Sequence, residues 1–227
     1  SEAQARETIP CRGLHVLPGV IDTQVHFREP GLTHKEDIEH GSMAAAAGGV
    51  TAFFEMPNTN PLTTTPEEFA RKMNIAAENS YVDYAFYFGG TKNNASMLGE
   101  WENLPGVCGI KIFMGSSTGD LLSATDEEVE AVLRNGKRVV AVHAEDEMMM
   151  NANKKTILGD SHDVTLHPVW RSAESCLSAT SRLLRLARKC GRRVHVLHIT
   201  TREEMELLAQ NRDIATIEVL PNHLTLF

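Results

Sequence analysis

Short apolar runs rich in β-branched residues alternate along this chain with segments of helical periodicity, and that alternation limits the folds open to it. The runs fall at 14–26, 50–57, 82–88, 109–114, 138–145, 192–199 and 215–221, with helical segments at about 35–47, 66–79, 94–103, 126–135, 168–190 and 201–210. Strands that are apolar on both faces need cover on both sides, so the pattern predicts a parallel sheet joined by right-handed helical crossovers. Helix boundaries are marked chemically. Thr65-Pro66-Glu67-Glu68 supplies a cap, a first-turn proline and an acidic first turn, and Thr200 or Thr201 stands in the same relation to Glu203-Glu204.

An open doubly wound sheet would need a glycine-rich phosphate loop after its first strand, and none is present. Polar residues instead recur at the C-terminal ends of several strands, as they do where barrel strands converge on one pocket. We therefore expect an α/β chain with a TIM-type (β/α)8 barrel, incomplete, with about seven strands present in a single domain over 1–227. A hydrophobic share of 42% and a charged share of 23% suit one globular core. The net charge of -8, with signs interspersed, leaves no basic face for nucleic acid. Cys11, Cys108, Cys176 and Cys190 form no C-x-x-C pair, which fits a reducing, cytoplasmic setting. No apolar run approaches the roughly 20 residues of a membrane span.

Four residues sit where the barrel's pocket should be. His26 closes the first run, Lys111 lies inside the fourth, His143 is near the end of the fifth and His198 near the end of the sixth. Any one strand-end histidine has a structural explanation; three together point to a metal site. Lys111, inside GIKIFMG, leaves two readings open. Its stem runs along apolar surface to a solvated amine, or burial depresses its pKa and the neutral amine takes up carbon dioxide to give a metal-bridging carbamate.

The stretches DTQVHFREPG at 22–31, MPNTNP at 56–61, KIFMGSSTG at 111–119, VHAED at 142–146 and VLHIT at 196–200 resemble the dihydroorotases of the metal-dependent amidohydrolase superfamily, in the same order and over nearly the whole chain. The resemblance implies a zinc-dependent hydrolase that reversibly closes N-carbamoyl-L-aspartate to L-dihydroorotate in pyrimidine synthesis. It implies His26, carbamylated Lys111, His143 and His198 as metal ligands for one or two zinc ions. Arg28 and Asn58 would hold the substrate carboxylate, against bland readings as a surface ion pair and a turn residue. Hydantoinases and allantoinases share the histidines, but the arginine in HFREPG favours dihydroorotase. A homodimer is the family expectation.

The chain departs from the family pattern twice. Gln24 replaces the first histidine of D-x-H-x-H, and an amide oxygen is a poor zinc ligand, so one metal, two metals with compensation, or lost catalysis all stay open. We expect retained activity; the other outcome is a non-catalytic subunit supporting aspartate transcarbamoylase. The family's proton-shuttling aspartate belongs to the eighth strand, beyond Phe227, and a small terminal β-sandwich is also missing, so we expect a longer polypeptide. Asp22 is read as support for the first strand or a structural hydrogen bond, and His223 as a pocket candidate. His167 and Arg171 are read as a helix cap and a surface ion pair, and Met148–Met150 as packing filler.

Overall fold

The computed structural model describes residues 5–116 and 119–226; Ser117 and Thr118 of the KIFMGSSTG stretch, and the ends of the expected 1–227 domain, lie outside the described residues. Seven strands form one sheet in sequential order: β1 (Val20–Val25), β2 (Val50–Glu55), β3 (Asp83–Gly89), β4 (Val107–Phe113), β5 (Val140–His143), β6 (Val194–Val196) and β7 (Ala215–Ile217). Every neighbouring pair is parallel. The wall curves until its ends meet through side chains, where Thr23 Oγ1 of β1 donates to Glu218 Oε2, just after β7, at 3.2 Å. This is an incomplete barrel of the expected type.

The helices are α1 (Ile38–Ala47), α2 (Pro66–Asn79), α3 (Leu98–Trp101), α4 (Asp126–Leu133), α5 (Glu147–Asn153), α6 (His167–Trp170), α7 (Ala173–Cys190), α8 (Arg202–Ala209) and α9 (Pro221–Thr225). Capping explains several of their starts. Thr65, Thr125 and Thr201 each accept a backbone N–H three residues on, and Thr125 and Glu128 form a reciprocal capping box. None of the described helices is long and apolar enough to cross a membrane.

Alternation along the strands separates two layers. Phe86 and Phe88 of β3, and Ile110 and Ile112 of β4, pack with residues of the covering helices such as Phe69, Leu98, Val132 and Leu183. Tyr87, between those phenylalanines, belongs to a smaller interior cluster with Met56, Ala141 and Leu197. Lys111, between the isoleucines, is on that interior side.

Several expected boundaries are corrected. Residues 14–19 are not strand; nothing pairs with them, and Leu14 and Val16 are 70% and 79% exposed. The first helix starts at Ile38, capped by Asp37 rather than reaching back to 35. The single helix expected over 168–190 is broken at Arg171, whose ψ of 70 leaves the helical region, and Ser172 rather than His167 caps α7. The strand expected at 215–221 stops at Ile217, because Pro221 opens α9. Of the methionine run only Met150 fills the core; Met148 is exposed.

Candidate active site

β5 and β6 end side by side, and each delivers an imidazole. His143 Nδ1 lies 2.9 Å from His198 Nε2, while His143 Nε2 lies 2.6 Å from Glu145 Oε2. A carboxylate only accepts, so His143 Nε2 carries the proton and Nδ1 presents its lone pair toward His198. Arg171 grips both oxygens of Glu145, which explains why the chain leaves its helix there. Burial alone would raise the Glu145 pKa, but the hydrogen bonds from His143 and Arg171 outweigh it and hold the group at about 2.

His26 follows β1 and turns its Nδ1 to Asn58 Oδ1 at 2.8 Å, which leaves Nε2 with its lone pair. Its pKa falls to about 4, first through burial and then through the charge of Arg28. The His198 pKa also falls to about 4, through burial and the neighbouring His143 and Lys111. Both rings are neutral at pH 7, the form in which imidazole ligates a metal. Arg28 and His198 have φ of 63 and 39, left-handed values that a non-glycine residue takes where its surroundings impose them.

Lys111 is 1% exposed, and its amine has no hydrogen-bond partner among the described residues. It lies over the Phe113 ring, 4.2 Å from the centroid. Burial drives its pKa well below the ordinary 10.5, opposed by the Glu218 carboxylate. When protonated, it would lower the pKa values of His26, His143 and His198. Glu218 is tied to three elements: beyond Thr23, it accepts the His198 N–H at 3.3 Å and meets His195 Nε2 at 3.2 Å.

A cleft of about 390 Å³ opens over the β5–β6 half of the site, lined by His143, Glu145, Arg171, His198 and His223 among others. His26, Arg28, Asn58 and Lys111 are not part of its lining. Among the described residues, no three histidine, cysteine or acidic side chains are gathered closely enough to hold an ion by themselves.

The family described as Dihydro-orotase-like matches residues 13–204. The chain belongs to this family. A dihydroorotase of Methanosphaera stadtmanae is 36% identical over 217 residues, covering 93% of this chain and 49% of that protein. An allantoinase of Deinococcus radiodurans is 34% identical, covering 97% of this chain and 51% of that protein. Among solved structures, the L-hydantoinase (dihydropyrimidinase) of Arthrobacter aurescens superposes with a TM-score of 0.90 at 30% identity, covering 99% of this chain and 52% of its own. The chain thus spans about half the length of the relatives it matches.

In this dihydro-orotase-like chain the residues singled out from the sequence fall into two pairs, His143 with His198 and His26 with Asn58, with the Lys111 amine over the Phe113 ring on the neighbouring strand β4. Gln24 is present with its side-chain oxygen buried and unpartnered among the described residues. Asp22 accepts the Gln24 N–H at 3.0 Å, a local structural bond. Arg171 was expected in a surface ion pair; its half-buried pairing with Glu145 puts it in the cleft instead. Glu145 and Glu218 were missed. Glu145 follows a strand-end histidine by two positions, and Glu218 interrupts an apolar run much as Lys111 does, so each carried a sequence signal.

Proposed function

We propose that this chain carries the zinc-binding and carboxylate-binding face of a dihydroorotase, which reversibly closes N-carbamoyl-L-aspartate to L-dihydroorotate. The observation that carries the reading is Lys111, a fully buried amine with no hydrogen-bond partner among the described residues, on the interior face of the strand that pairs with the one ending at His143. Burial disfavours the protonated amine, the unprotonated amine is a nucleophile toward carbon dioxide, and its carbamate would add anionic oxygens to the site.

The donor set fits zinc. His143 Nδ1 and His198 Nε2 face each other at 2.9 Å, close to the roughly 3.3 Å that separates two nitrogens on a tetrahedral zinc ion. Glu145 fixes the His143 ring so that Nδ1 is the free atom, the orienting role carboxylates take behind ligating histidines. On this reading His26, carbamylated Lys111, His143 and His198 hold the metal. When bound, zinc polarises the ring carbonyl and acidifies the attacking water.

The chain's own residues position the ring. Arg28 offers two parallel donors to the substrate carboxylate, and Asn58, its Oδ1 occupied by His26, offers its amide N–H groups. Their position at the loops after β1 and β2 suits a substrate lying across the mouth of the barrel. The proton must travel between water and the ring nitrogen on a further carboxylate.

Two other readings set the terms of the test. Likeness to the L-hydantoinase favours a ring without a carboxylate, and Gln24 favours a non-catalytic subunit that supports aspartate transcarbamoylase. Full-length, zinc-loaded protein is assayed in both directions on dihydroorotate and carbamoyl aspartate, and on hydantoin and allantoin. We expect turnover of dihydroorotate, with KM raised about ten- to hundredfold in Arg28→Ala, the size of a lost charge-assisted hydrogen bond. Undiminished dihydroorotate hydrolysis by Arg28→Ala contradicts the substrate assignment. Bound zinc with no turnover of any ring favours the non-catalytic subunit.

A further inference from the structure

Helix α2 sends Lys72 inward beneath the two loops that carry Arg28 and Asn58. The side chain is fully buried, and its ammonium pairs with the equally buried carboxylate of Glu55 at the end of β2. Two more acceptors complete its shell, Met56 O at 2.9 Å and Thr63 Oγ1 at 3.2 Å. Desolvating two charges costs several kcal/mol per ion, and apolar residues of similar volume often stabilise a fold as well or better. Packing alone therefore gives no reason for an ion pair here.

The hydrogen bonds around the pair lead to both loops. Thr63 Oγ1 lies 3.3 Å from Thr59 Oγ1, which donates to Pro61 O at 2.9 Å. The N–H groups of Thr59 and Thr63 converge on Pro57 O at 2.9 and 3.0 Å, so Asn58 sits inside a closed knot of backbone. Asn60 N then donates to Pro30 O at 3.0 Å, and a Cβ at Gly31 would lie 1.9 Å from Asn60 O. Segments 28–31 and 56–63 thus pack backbone against backbone, with Arg28 held in its left-handed conformation. Lys72→Met would fill the space but strand the Met56 carbonyl and leave the Thr63 hydroxyl with Thr59 alone.

We propose that the buried Glu55–Lys72 pair is a positioning device that holds Asn58 and Arg28 at a fixed separation, so that both grip one substrate carboxylate. Neither member touches the substrate. The inference rests on the reading that Arg28 and Asn58 bind that carboxylate.

The test compares the full-length enzyme with Lys72→Met and with the double variant Glu55→Gln/Lys72→Met. Lys72→Met leaves a buried carboxylate unpaired and is expected to melt at a lower temperature; the double variant removes both charges and recovers most of that loss. Positioning predicts that KM for dihydroorotate stays raised about tenfold in the double variant while kcat stays within about threefold. Recovery of KM together with the melting temperature overturns the proposal. Amide hydrogen exchange gives a readout that needs no substrate: exchange in 26–31 and 56–64 is expected to quicken in the double variant, with β5 and β6 still protected. Unchanged exchange in those loops overturns the proposal. If the parent enzyme fails to turn over dihydroorotate, the functional reading falls on its own, and the exchange comparison still decides whether the pair sets the loops.

Discussion

Arg171 holds both carboxylate oxygens of Glu145, and through Glu145 it fixes the ring of His143. The contact crosses from the turn after α6 to the end of β5, and its effect is to choose which imidazole nitrogen is free. Loss of such an outer partner lowers metal affinity about 10- to 100-fold. We expect Glu145→Gln and Arg171→Met each to weaken zinc binding by about that factor, read by competition against a chelator of known affinity. Affinity equal to the parent's would remove Glu145 from the ligand-orienting role.

The same carboxylate makes stability depend on acid. Its pKa is about 2 when folded and 4.5 ordinarily, so the folded state binds fewer protons between those values. Stability from Glu145 is therefore fully present above pH 4.5 and lost as pH falls toward 2, to an upper limit of about 3 kcal/mol. Denaturant unfolding of the metal-free protein across that interval should steepen with acid, and Glu145→Gln should flatten the profile.

Lys111 works in the opposite sense. Burial holds its amine well below the ordinary 10.5, so the unfolded chain binds that proton more tightly than the folded chain. Stability of the metal-free protein should rise with pH through the interval below 10.5. Lys111→Met removes an unpartnered buried polar atom and is expected to stabilise the metal-free fold by about 1–3 kcal/mol near neutral pH while abolishing zinc binding. Denaturant titration and zinc analysis on the same samples test this; a destabilised variant that still binds zinc would contradict it.

Gln24 lies two positions before His26, and its oxygen is buried without a partner among the described residues. An imidazole there would complete the ligand pair that an amide cannot. We expect Gln24→His to raise bound zinc from about one to about two equivalents per chain, measured by elemental analysis after dialysis. One equivalent in both proteins would mean that position 24 does not govern metal number.

The barrel wall was legible because its strands are apolar on both faces and its helices carry caps such as Thr65-Pro66; α2 runs over the very residues its cap and periodicity indicate. The alternation that buries Lys111 between Ile110 and Ile112 could be read directly from GIKIFMG. Residues 14–19 mislead because apolar character alone does not make a strand, and pairing of β1 begins only at Val20. The break at Arg171 was hidden because its cause is Glu145, 26 positions away. Glu218 was missed for the same reason: its contact with Thr23 spans 195 positions, and only the curvature of the sheet creates it. The dependence of the Asn58 loop on Lys72 is likewise invisible in PNTNP, which reads as good turn chemistry without it.

On the proposed function, one zinc ion lies between the strand-end imidazoles and the Lys111 side chain, and anomalous diffraction at the zinc edge from crystals of the full-length protein tests this. We expect a peak within bonding distance of His143 Nδ1 and His198 Nε2, with carbamate density continuous from Lys111 Nζ and His26 Nε2 turned toward it. A zinc peak elsewhere, or zinc-soaked crystals in which His143 Nδ1 and His198 Nε2 remain hydrogen-bonded to each other, would contradict it.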